Sequence, residues 1–401
     1  MSNVKTIIQM KRFSCFAIFQ IGFFLSLIGV LVVKYTEQLK LSTYQVSLYL
    51  SMNYVGYMLG GFLGDVFSKK IGQKKLMDRT LLMAAFIAIG SIIVKSYWLL
   101  LLLSIGLGLA GGFMEGQTNA VMGSVELEKA DHNVNLGSTL MTFGYFSSCF
   151  IVALIMALGL PWKLIYVVII GSSLLIWGVY KNLNFISVTE KKEVTGKQKS
   201  AKPLLKNKYF VTGCIAMCLY SGMEVMFFSW LTTFFESRGN ISYVFSIVIM
   251  CCFYFFLLLG KCCNSVLMKF RKPVENAATA AIIAFLLLLA LVNIQVFWLN
   301  CVCAAILGFC ISCIPPFIIA FTGRQAGTDS AFSYVIGSAG IGTILIPGLV
   351  GILSARISMR IVLMIMSPVF LIEAILFLRL FYPKIIEEEK NENIHVDNAV
   401  S

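Results

Sequence analysis

Long apolar runs, separated by short charged or Gly- and Pro-containing breaks, follow one another along most of the chain. An α-helix needs roughly 20 apolar residues to cross a bilayer, and each run is close to that length. The pattern therefore predicts an all-α polytopic membrane protein with twelve transmembrane helices. The predicted spans are residues 13–34, 43–63, 76–94, 97–123, 136–159, 163–182, 209–235, 243–268, 276–293, 297–322, 330–353 and 360–382.

The longest polar break, rich in lysine, follows the sixth predicted span and divides the chain into six plus six helices. Two six-helix repeats that rock about a central site are typical of secondary transporters. We therefore expect two pseudo-symmetric halves joined by a basic cytoplasmic linker and followed by an acidic cytoplasmic tail. The predicted boundaries are 1–182 and 209–383 for the halves, 183–208 for the linker and 384–401 for the tail.

Composition supports the membrane interpretation, because 59% of the 401 residues are hydrophobic and only 13% are charged. Soluble domains average roughly 45 to 50% and about 25%, so a soluble enzyme is excluded. In a soluble protein the net charge of +13 would suggest nucleic acid. Here 23 of the 32 Lys and Arg residues fall on one side of the predicted topology, which fits the positive-inside rule and places both termini in the cytoplasm. We expect a monomer in a bacterial cytoplasmic membrane, with no nucleic acid partner.

The twelve cysteines lie mostly in apolar stretches, where a thiol behaves as a small hydrophobe, so no disulfide framework is expected. Cys310 and Cys313 form a CxxC pair without a second pair beside it, and the only histidines are His132 and His395. Packing thiols are favoured over a metal or redox site. The chain lacks a GxxxxGK[ST] loop and an intramembrane histidine, which disfavours an ATP-driven pump and a membrane-embedded enzyme. We expect no cofactor, with a proton gradient as the energy source.

Carboxylates inside predicted spans are the strongest chemical signal, because an ionisable group in hydrocarbon is costly unless it faces a cavity or a partner. Glu115 lies in span four beside Gln117 and Asn119, among glycines that let helices approach closely. This polar patch predicts that Glu115 carries a proton or binds solute. The alternative is a hydrogen bond between helices.

Glu224 lies about 15 residues into span seven, roughly 22 Å along the helix, and so near the middle of the membrane. Tyr220 and Trp230 flank it, and aromatic faces beside a polar group can hold a sugar ring, although aromatics in spans also serve packing alone. Glu373 stands alone among aliphatic residues of the last span. A contact between helices is favoured there, and whether Glu373 has a function is left open.

Further polar residues within spans, among them Gln20 in the first and Asn53 in the second, give spans of both halves a polar side. A solvated central cavity requires such sides, so both residues are candidate solute contacts. Pro315-Pro316 in span ten and Pro347 in span eleven remove backbone donors. Membrane helices tolerate this where they bend around a cavity.

Four segments of the chain are similar to short motifs of a known protein family. They are Gly112-Phe-Met-Glu115-Gly-Gln-Thr-Asn119, Asn135-Leu136 with Phe143-Gly144, Tyr220-Ser-Gly222-Met-Glu224 with Trp230, and Gly260-Lys261. The six-plus-six pattern resembles the major facilitator superfamily, and these segments are similar to its fucose-permease-like branch of sugar:proton symporters. The resemblance covers residues 13 to 382. It implies a protonatable role for Glu115 and a hydrogen-bonding role for Asn119, toward solute or a neighbouring helix. From the residues themselves, Glu224 is a second candidate proton carrier, and the candidate solute contacts are Gln20, Asn53, Gln117, Tyr220 and Trp230.

Two departures from that branch affect the expected mechanism. Its symporters often carry an Asp in the first helix, but residues 13–33 contain no acid. In the loop between helices two and three, alignment on Gly72 puts Lys69 where the superfamily has Asp, with Asp65 one turn earlier. The resemblance implies gating roles for Asp65, Lys69 and Gly72, and for Lys261 at the end of the eighth span.

Taken together, the sequence predicts a secondary active transporter that works by alternating access. The favoured hypothesis is proton-coupled uptake of a sugar or similar small polar solute. The main alternative keeps the fold and reverses the direction, as a proton-antiport exporter of drugs or metabolites, which the many Phe and Met residues leave open. A sensor on a transporter scaffold is not excluded by sequence, since fold does not fix function.

Overall fold

The computed structural model describes residues 2–125, 130–185, 206–239, 241–267, 271–326 and 330–387, and within these the chain forms twelve helices. We number them α1 to α12 in chain order. They are α1 (Ser2–Leu25, continued by Leu27–Leu39), α2 (Thr43–Ile71), α3 (Gln73–Ile93), α4 (Tyr97–Val125), α5 (Ala130–Ala157), α6 (Leu164–Tyr180), α7 (Lys208–Ser237), α8 (Tyr243–Leu267), α9 (Pro273–Asn293), α10 (Phe297–Ile311, continued by Ile314–Ala326), α11 (Ser330–Ser354) and α12 (Met359–Met366, continued by Pro368–Leu376 and a π-helical turn at Phe377–Phe381).

Each of the twelve predicted spans coincides with one of these helices, so the prediction of twelve helices is confirmed for the described part of the chain. Ten helical stretches are long and apolar enough to cross a membrane. Of the other two, α6 is apolar but only 17 residues long, and α2 is 29 residues long and includes several polar residues. Most of the predicted linker and tail lies outside the described residues.

Helix ends and breaks follow local chemistry. Ser42 and Gln45 form a reciprocal capping box at the start of α2, which satisfies backbone donors that the first turn leaves free. Gly72 ends α2 and precedes α3 with a φ of 90°, a conformation that favours glycine. The breaks in α10 and α12 fall next to prolines, which cannot donate the hydrogen bond of a continuous helix.

Equivalent helix pairs in the two halves pack through the same positions, shifted by 200 residues. In the first half, Gly60 of α2 lies against the backbone carbonyl of Leu109 in α4. In the second half, Gly260 of α8 lies against the backbone carbonyl of Phe309 in α10. A side chain at either glycine would separate the two backbones. The two halves are therefore internal repeats of one packing scheme.

The first and seventh helices repeat the same relationship. Gly22 of α1 packs against the backbone of Met141 in α5, and Gly222 of α7 packs against the backbone of Gly342 in α11. The residue shifts are 200 and 201. The prediction of two pseudo-symmetric six-helix halves is confirmed by this repeat.

The halves meet along two equivalent seams, α2 against α11 and α5 against α8. Ser47 in α2 donates a hydrogen bond to the carbonyl of Gly348 in α11 at 3.4 Å. Cys149 in α5 donates to the carbonyl of Ile247 in α8 at 3.5 Å, again with a shift of about 200 residues. Between the seams, Gly29 of α1 lies against the backbone of Phe228 in α7.

All of these contacts lie toward one face of the bundle, which we call the distal face. It carries the turns at residues 40–42, 158–163, 238–239 and 355–358. There, the Tyr243 hydroxyl also donates to the Val30 carbonyl at 2.6 Å, and the Lys34 ammonium lies 4.8 Å from the Tyr243 ring centre. The face where α6 ends and α7 begins is the linker face. The halves are therefore closed against each other at the distal face.

Toward the linker face, the α2–α11 seam separates. An added Cβ at Gly61 in α2 or at Gly337 in α11 would meet no atom within 4 Å. The same holds for Gly116 in α4, one residue beyond Glu115. Along the α2–α11 seam, the space between the halves thus opens toward the linker face.

Candidate functional site

Two carboxylates from different halves face the space between the halves. Glu115 in α4 and Glu224 in α7 are each partly exposed, although they lie in the interior of their helices. Their chain neighbours Met114 and Met223 are fully buried in the helix packing. Both glutamates therefore project away from the packed bundles and toward the central space.

A lysine completes this central group, which we call the charge cluster (Glu115, Glu224 and Lys261). The Lys261 ammonium in α8 donates to the hydroxyls of Thr142 at 2.8 Å and Ser138 at 3.1 Å, both in α5 of the other half. It also interacts electrostatically with both glutamates. Its hydrogen bonds within the described chain go to hydroxyls, so the ammonium attracts the carboxylates across the space without being a direct ligand of either.

The charges of the cluster define what it can do. With both acids ionised and the lysine protonated, it carries one net negative charge. Binding one proton makes it neutral. Because an uncompensated charge is expensive to remove from water, the protonated cluster costs less to enclose between the halves than the ionised one.

An aromatic wall of Tyr145, Phe228 and Tyr254 stands beside the charge cluster. The three rings, from α5, α7 and α8, have pairwise centroid distances of 5.3, 5.6 and 5.2 Å. Tyr145 interacts electrostatically with both glutamates, and Tyr254 with Glu224. The wall therefore joins the two halves, and its partly exposed members, Tyr145 and Phe228, offer ring faces next to polar groups.

Tyr145 and Tyr254 were not among the site residues predicted from the sequence. The internal repeat contained a usable signal, because Tyr254 is shifted by 200 residues from Tyr54 in α2. Tyr54 also interacts electrostatically with Glu224. Two tyrosines at equivalent positions thus approach one carboxylate from opposite halves.

Two predicted solute contacts have hydrogen-bond partners within their own half. The amide of Gln20, which is 1% exposed, donates to the hydroxyl of Ser173 at 2.9 Å and to the carbonyl of Ile169. The amide of Asn53, also 1% exposed, donates to the carbonyl of Ser104 at 2.9 Å. In this conformation both side chains join helices of the first half and lie outside the charge cluster.

Two further predicted contacts lie in the packed part of α7. The indole N–H of Trp230 donates to the carbonyl of Pro347 in α11 at 3.1 Å. This hydrogen bond joins α7 to α11 at the proline inside α11. Tyr220 is buried one turn before Glu224 and interacts with it electrostatically.

On α4, Asn119 and Gln117 differ in placement. Asn119 is partly exposed four residues after Glu115, on the same face of the helix. Gln117 is buried, and its backbone carbonyl accepts a hydrogen bond from the side chain of Gln73 at 3.2 Å. Asn119 is therefore the one of the two that shares the central space with Glu115.

The predicted gating residues fall into two groups. Asp65 and Lys69 are exposed on the last turns of α2, and Gly72 forms the turn that follows, all at the linker face. Lys261 lies deeper, in the charge cluster. The resemblance groups Lys261 with these three residues, but in the fold Lys261 lies apart from them.

Metal ligation and thiol chemistry have little support in the described residues. No group of three or more His, Cys, Asp or Glu residues there is placed to hold a metal ion. All twelve cysteines are free. Cys310 and Cys313 are half-buried at the break in α10, where the Cys313 thiol donates to the Cys310 carbonyl.

Comparison with known proteins matches this architecture. The family model described as Major Facilitator Superfamily matches residues 14–329. The nucleoside transporter NupG is similar in structure, with a TM-score of 0.73, 15% identity, and coverage of 94% of this chain and 99% of its own. Among curated proteins, none matches the chain in sequence at a significant level.

Two other solved structures are also similar. The E. coli fucose:proton symporter FucP gives a TM-score of 0.63 with 17% identity, covering 93% of this chain and 98% of its own. A bacterial homologue of the human lysosomal transporter Spinster, in an inward-facing and occupied conformation, gives 0.70 with 12% identity, covering 91% and 95%. At these identities the likeness extends to the fold.

Proposed function

The chain belongs to the major facilitator superfamily and is a multi-pass membrane transporter rather than an enzyme, and from this premise we propose that it couples proton entry to uptake of a sugar or similar small polar solute. The observation that carries the proposal is the charge cluster, in which Glu115 comes from one half and Glu224 and Lys261 from the other. A proton bound there changes the charge between the halves. Proton binding and movement of the halves are thereby linked.

The coupling follows from the cost of enclosing charge. When the central space is open, water solvates the net negative charge of the ionised cluster. When the halves close over it, that solvation is lost, and an uncompensated charge costs several kcal/mol. A proton removes this cost, so the protonated transporter changes conformation more readily than the ionised one.

The solute would bind beside the cluster. Asn119 and the carboxylates offer hydrogen-bond acceptors, and the aromatic wall offers ring faces. A molecule with several hydroxyls and an apolar ring face satisfies both kinds of group. Two structural neighbours are named for solutes of that chemistry, a nucleoside in NupG and fucose in FucP.

The orientation proposed here places the linker face in the cytoplasm of a cytoplasmic membrane, with both termini on that side, because that face collects most of the Lys and Arg residues. The described conformation then faces inward. We expect the protein to act as a monomer, because each six-helix half contributes to one central site.

A proton-antiport exporter is the second candidate, and the aromatic wall is the observation that favours it. Ring faces also bind lipophilic cations, and cation–π attraction beside two carboxylates would suit such solutes. The exporter would use the same cluster, with solute and proton binding in alternation. The two functions differ in the direction of solute movement under one proton gradient.

The test is transport by purified protein in liposomes under an imposed inward proton gradient. The panel contains hexoses, deoxyhexoses, pentoses, amino sugars and nucleosides, together with one lipophilic cation. Accumulation of a panel sugar or nucleoside with an inward current supports uptake. Extrusion of the cation, with the remaining compounds unmoved, supports the exporter and overturns the uptake proposal.

A further inference from the structure

Glu373 in α12 is an acid that the charge cluster does not use. Its side chain is fully buried, and neither carboxyl oxygen has a hydrogen-bond partner among the described residues. A buried ionised carboxylate without a partner costs several kcal/mol. The form compatible with this environment is the neutral acid, which carries a proton.

The internal repeat identifies the position that Glu373 occupies. In the first half, Gln20 of α1 donates to Ser173 of α6 at 2.9 Å, and both side chains are about 1% exposed. Adding 200 to each number gives Tyr220 of α7 and Glu373 of α12. The same helix junction thus holds a hydrogen-bonded pair in one half and a tyrosine–glutamate pair in the other.

The packing of α7 against α12 fixes the level of this pair in the bundle. The rings of Phe227 and Phe370 are stacked, with centroids 6.1 Å apart and an interplanar angle of 10°. The helices are antiparallel, so one turn further toward the linker face brings Glu373 level with Glu224, and Tyr220 lies one turn beyond Glu224. Tyr220 interacts electrostatically with both acids, and its hydroxyl is buried.

Other titratable groups near the pair are few. Cys313 of α10 acts on Tyr220. The buried face of α9, which packs against α12, is apolar, and the one titratable residue of that helix is Glu275 in its first turn. Within the described chain, Tyr220 is therefore the group that interacts with Glu373 on one side and with the charge cluster, through Glu224, on the other.

We propose that Glu373 is a second proton-binding site, which exchanges its proton with Glu224 through the hydroxyl of Tyr220. The transfer requires side-chain rotation that brings the phenol into hydrogen-bond contact with both carboxyl groups. The O–H bond of Glu373 then breaks as its proton passes to the phenol oxygen, while the phenol proton passes to the Glu224 carboxylate. One proton moves and the phenol is restored. The reverse step returns the proton to Glu373, so exchange leaves no lasting charge in the apolar pocket.

This inference rests on the proposed proton coupling, in which Glu224 is the acid in contact with the central space. It adds a proton that is not exposed to that space. Net release from Glu373 would leave an unpartnered carboxylate in the present conformation. Glu373 therefore keeps its proton while the linker face is open, and the exchange is with an incoming proton at Glu224.

Infrared spectroscopy of the purified full chain tests the proposal without a transported solute, so a failure of transport would not decide it. A neutral carboxyl has a carbonyl stretch that an ionised one lacks. We expect such a band in the wild type and its loss in Glu373→Gln. Glu373→Leu serves as a second variant, chosen to preserve folding if the amide does not.

Deuterium exchange of the same band tests the route. Tyr220→Phe removes the hydroxyl, so we expect exchange at Glu373 to slow by at least about tenfold, because phenylalanine can neither donate nor accept a proton. Tyr254→Phe is the matched control, since Tyr254 is also a buried tyrosine that acts on Glu224, and its exchange should equal the wild type. No band lost in either Glu373 variant would overturn the neutral acid, and equal exchange in Tyr220→Phe would overturn the relay.

Discussion

Gly29 controls whether the halves can close at the distal face. It lies where α1 meets α7, against the backbone of Phe228, and 29 and 229 are equivalent positions in the repeat. A Cβ at Gly29 would stand 2.7 Å from the carbonyl carbon of Phe228 and 3.1 Å from the Cα of Ser229, closer still to the carbonyl oxygen. Because these are backbone atoms, the replacement Gly29→Leu can be accommodated only by moving the helices apart.

The cost of this change follows from the contacts that separation breaks. Relief of the overlap requires more than about 1 Å of movement and costs about 1 to 3 kcal/mol as overpacking. The same movement lengthens the 2.6 Å hydrogen bond from Tyr243 to Val30 beyond hydrogen-bonding range, at about 1 kcal/mol. It also weakens the contact of Lys34 with the Tyr243 ring, at about 0.5 kcal/mol. The total of about 2.5 to 4.5 kcal/mol shifts the closed population by roughly two to three orders of magnitude.

Cys149 reports this shift directly. Its thiol is fully buried at the α5–α8 seam, where it donates to the carbonyl of Ile247. We expect a membrane-impermeant maleimide added at the distal face to label Cys149 rapidly in Gly29→Leu and slowly in the wild type. Mass spectrometry of peptides distinguishes it from Cys262 and Cys263, which are exposed on α8 near the linker face.

Gly22→Leu is the matched control. It crowds the same helix, with the added Cβ 3.0 Å from the Met141 carbonyl carbon. That contact lies within one half, so the variant should lower thermal stability without exposing Cys149. Unchanged labelling of Cys149 in a folded Gly29→Leu protein would refute the assignment of this contact to closure.

Three further replacements test the site and its surroundings. Lys261→Met leaves two acids without a base, so initial transport rates near pH 7 should fall at least about tenfold through the added cost of enclosing charge. The control, Lys208→Met at the start of α7, should transport at nearly the wild-type rate. Equal rates in both variants would remove Lys261 from the cluster. Glu373→Leu removes an unpartnered carboxyl and should leave the thermal unfolding midpoint unchanged or raise stability by about 1 to 3 kcal/mol; a clear loss would reveal an unseen partner. Gln20→Leu leaves Ser173 buried without its donor and should lower stability by about 1 to 3 kcal/mol without changing solute affinity; a selective loss of affinity would instead favour the predicted role of Gln20 as a solute contact.

The twelve helices could be predicted because membrane-spanning length and hydropathy are local properties of the sequence. The placement of Glu115 and Glu224 at the central space could also be anticipated, since an acid in an apolar helix must face a cavity or a partner. Lys261 could not be placed in this way. Lys261 lies near the end of α8. A lysine there can extend its side chain either to the membrane surface or into the central space, and the sequence pattern is the same in both cases.

Polar residues within spans were harder to interpret for a related reason. Asn53 and Trp230 looked like solute contacts, yet each donates to a backbone carbonyl of a neighbouring helix in its own half. Which carbonyl is free to accept depends on tertiary packing, as with Pro347 in α11. The roles of these residues in solute binding stay predictions. The internal shift of 200 residues is the sequence signal that would have related many of these positions to their equivalents in the other half.

Glu115 provides the most direct test of proton coupling. Glu115→Gln keeps the size and hydrogen-bonding capacity of the side chain but cannot release a proton, and Glu37→Gln, an exposed glutamate paired with Lys34 on α1, is the matched control. The measurement compares proton-driven accumulation with exchange of labelled for unlabelled solute in liposomes. We expect Glu115→Gln to lose accumulation and retain exchange, while Glu37→Gln retains both. Accumulation by Glu115→Gln at the wild-type level and with the wild-type pH dependence would contradict it.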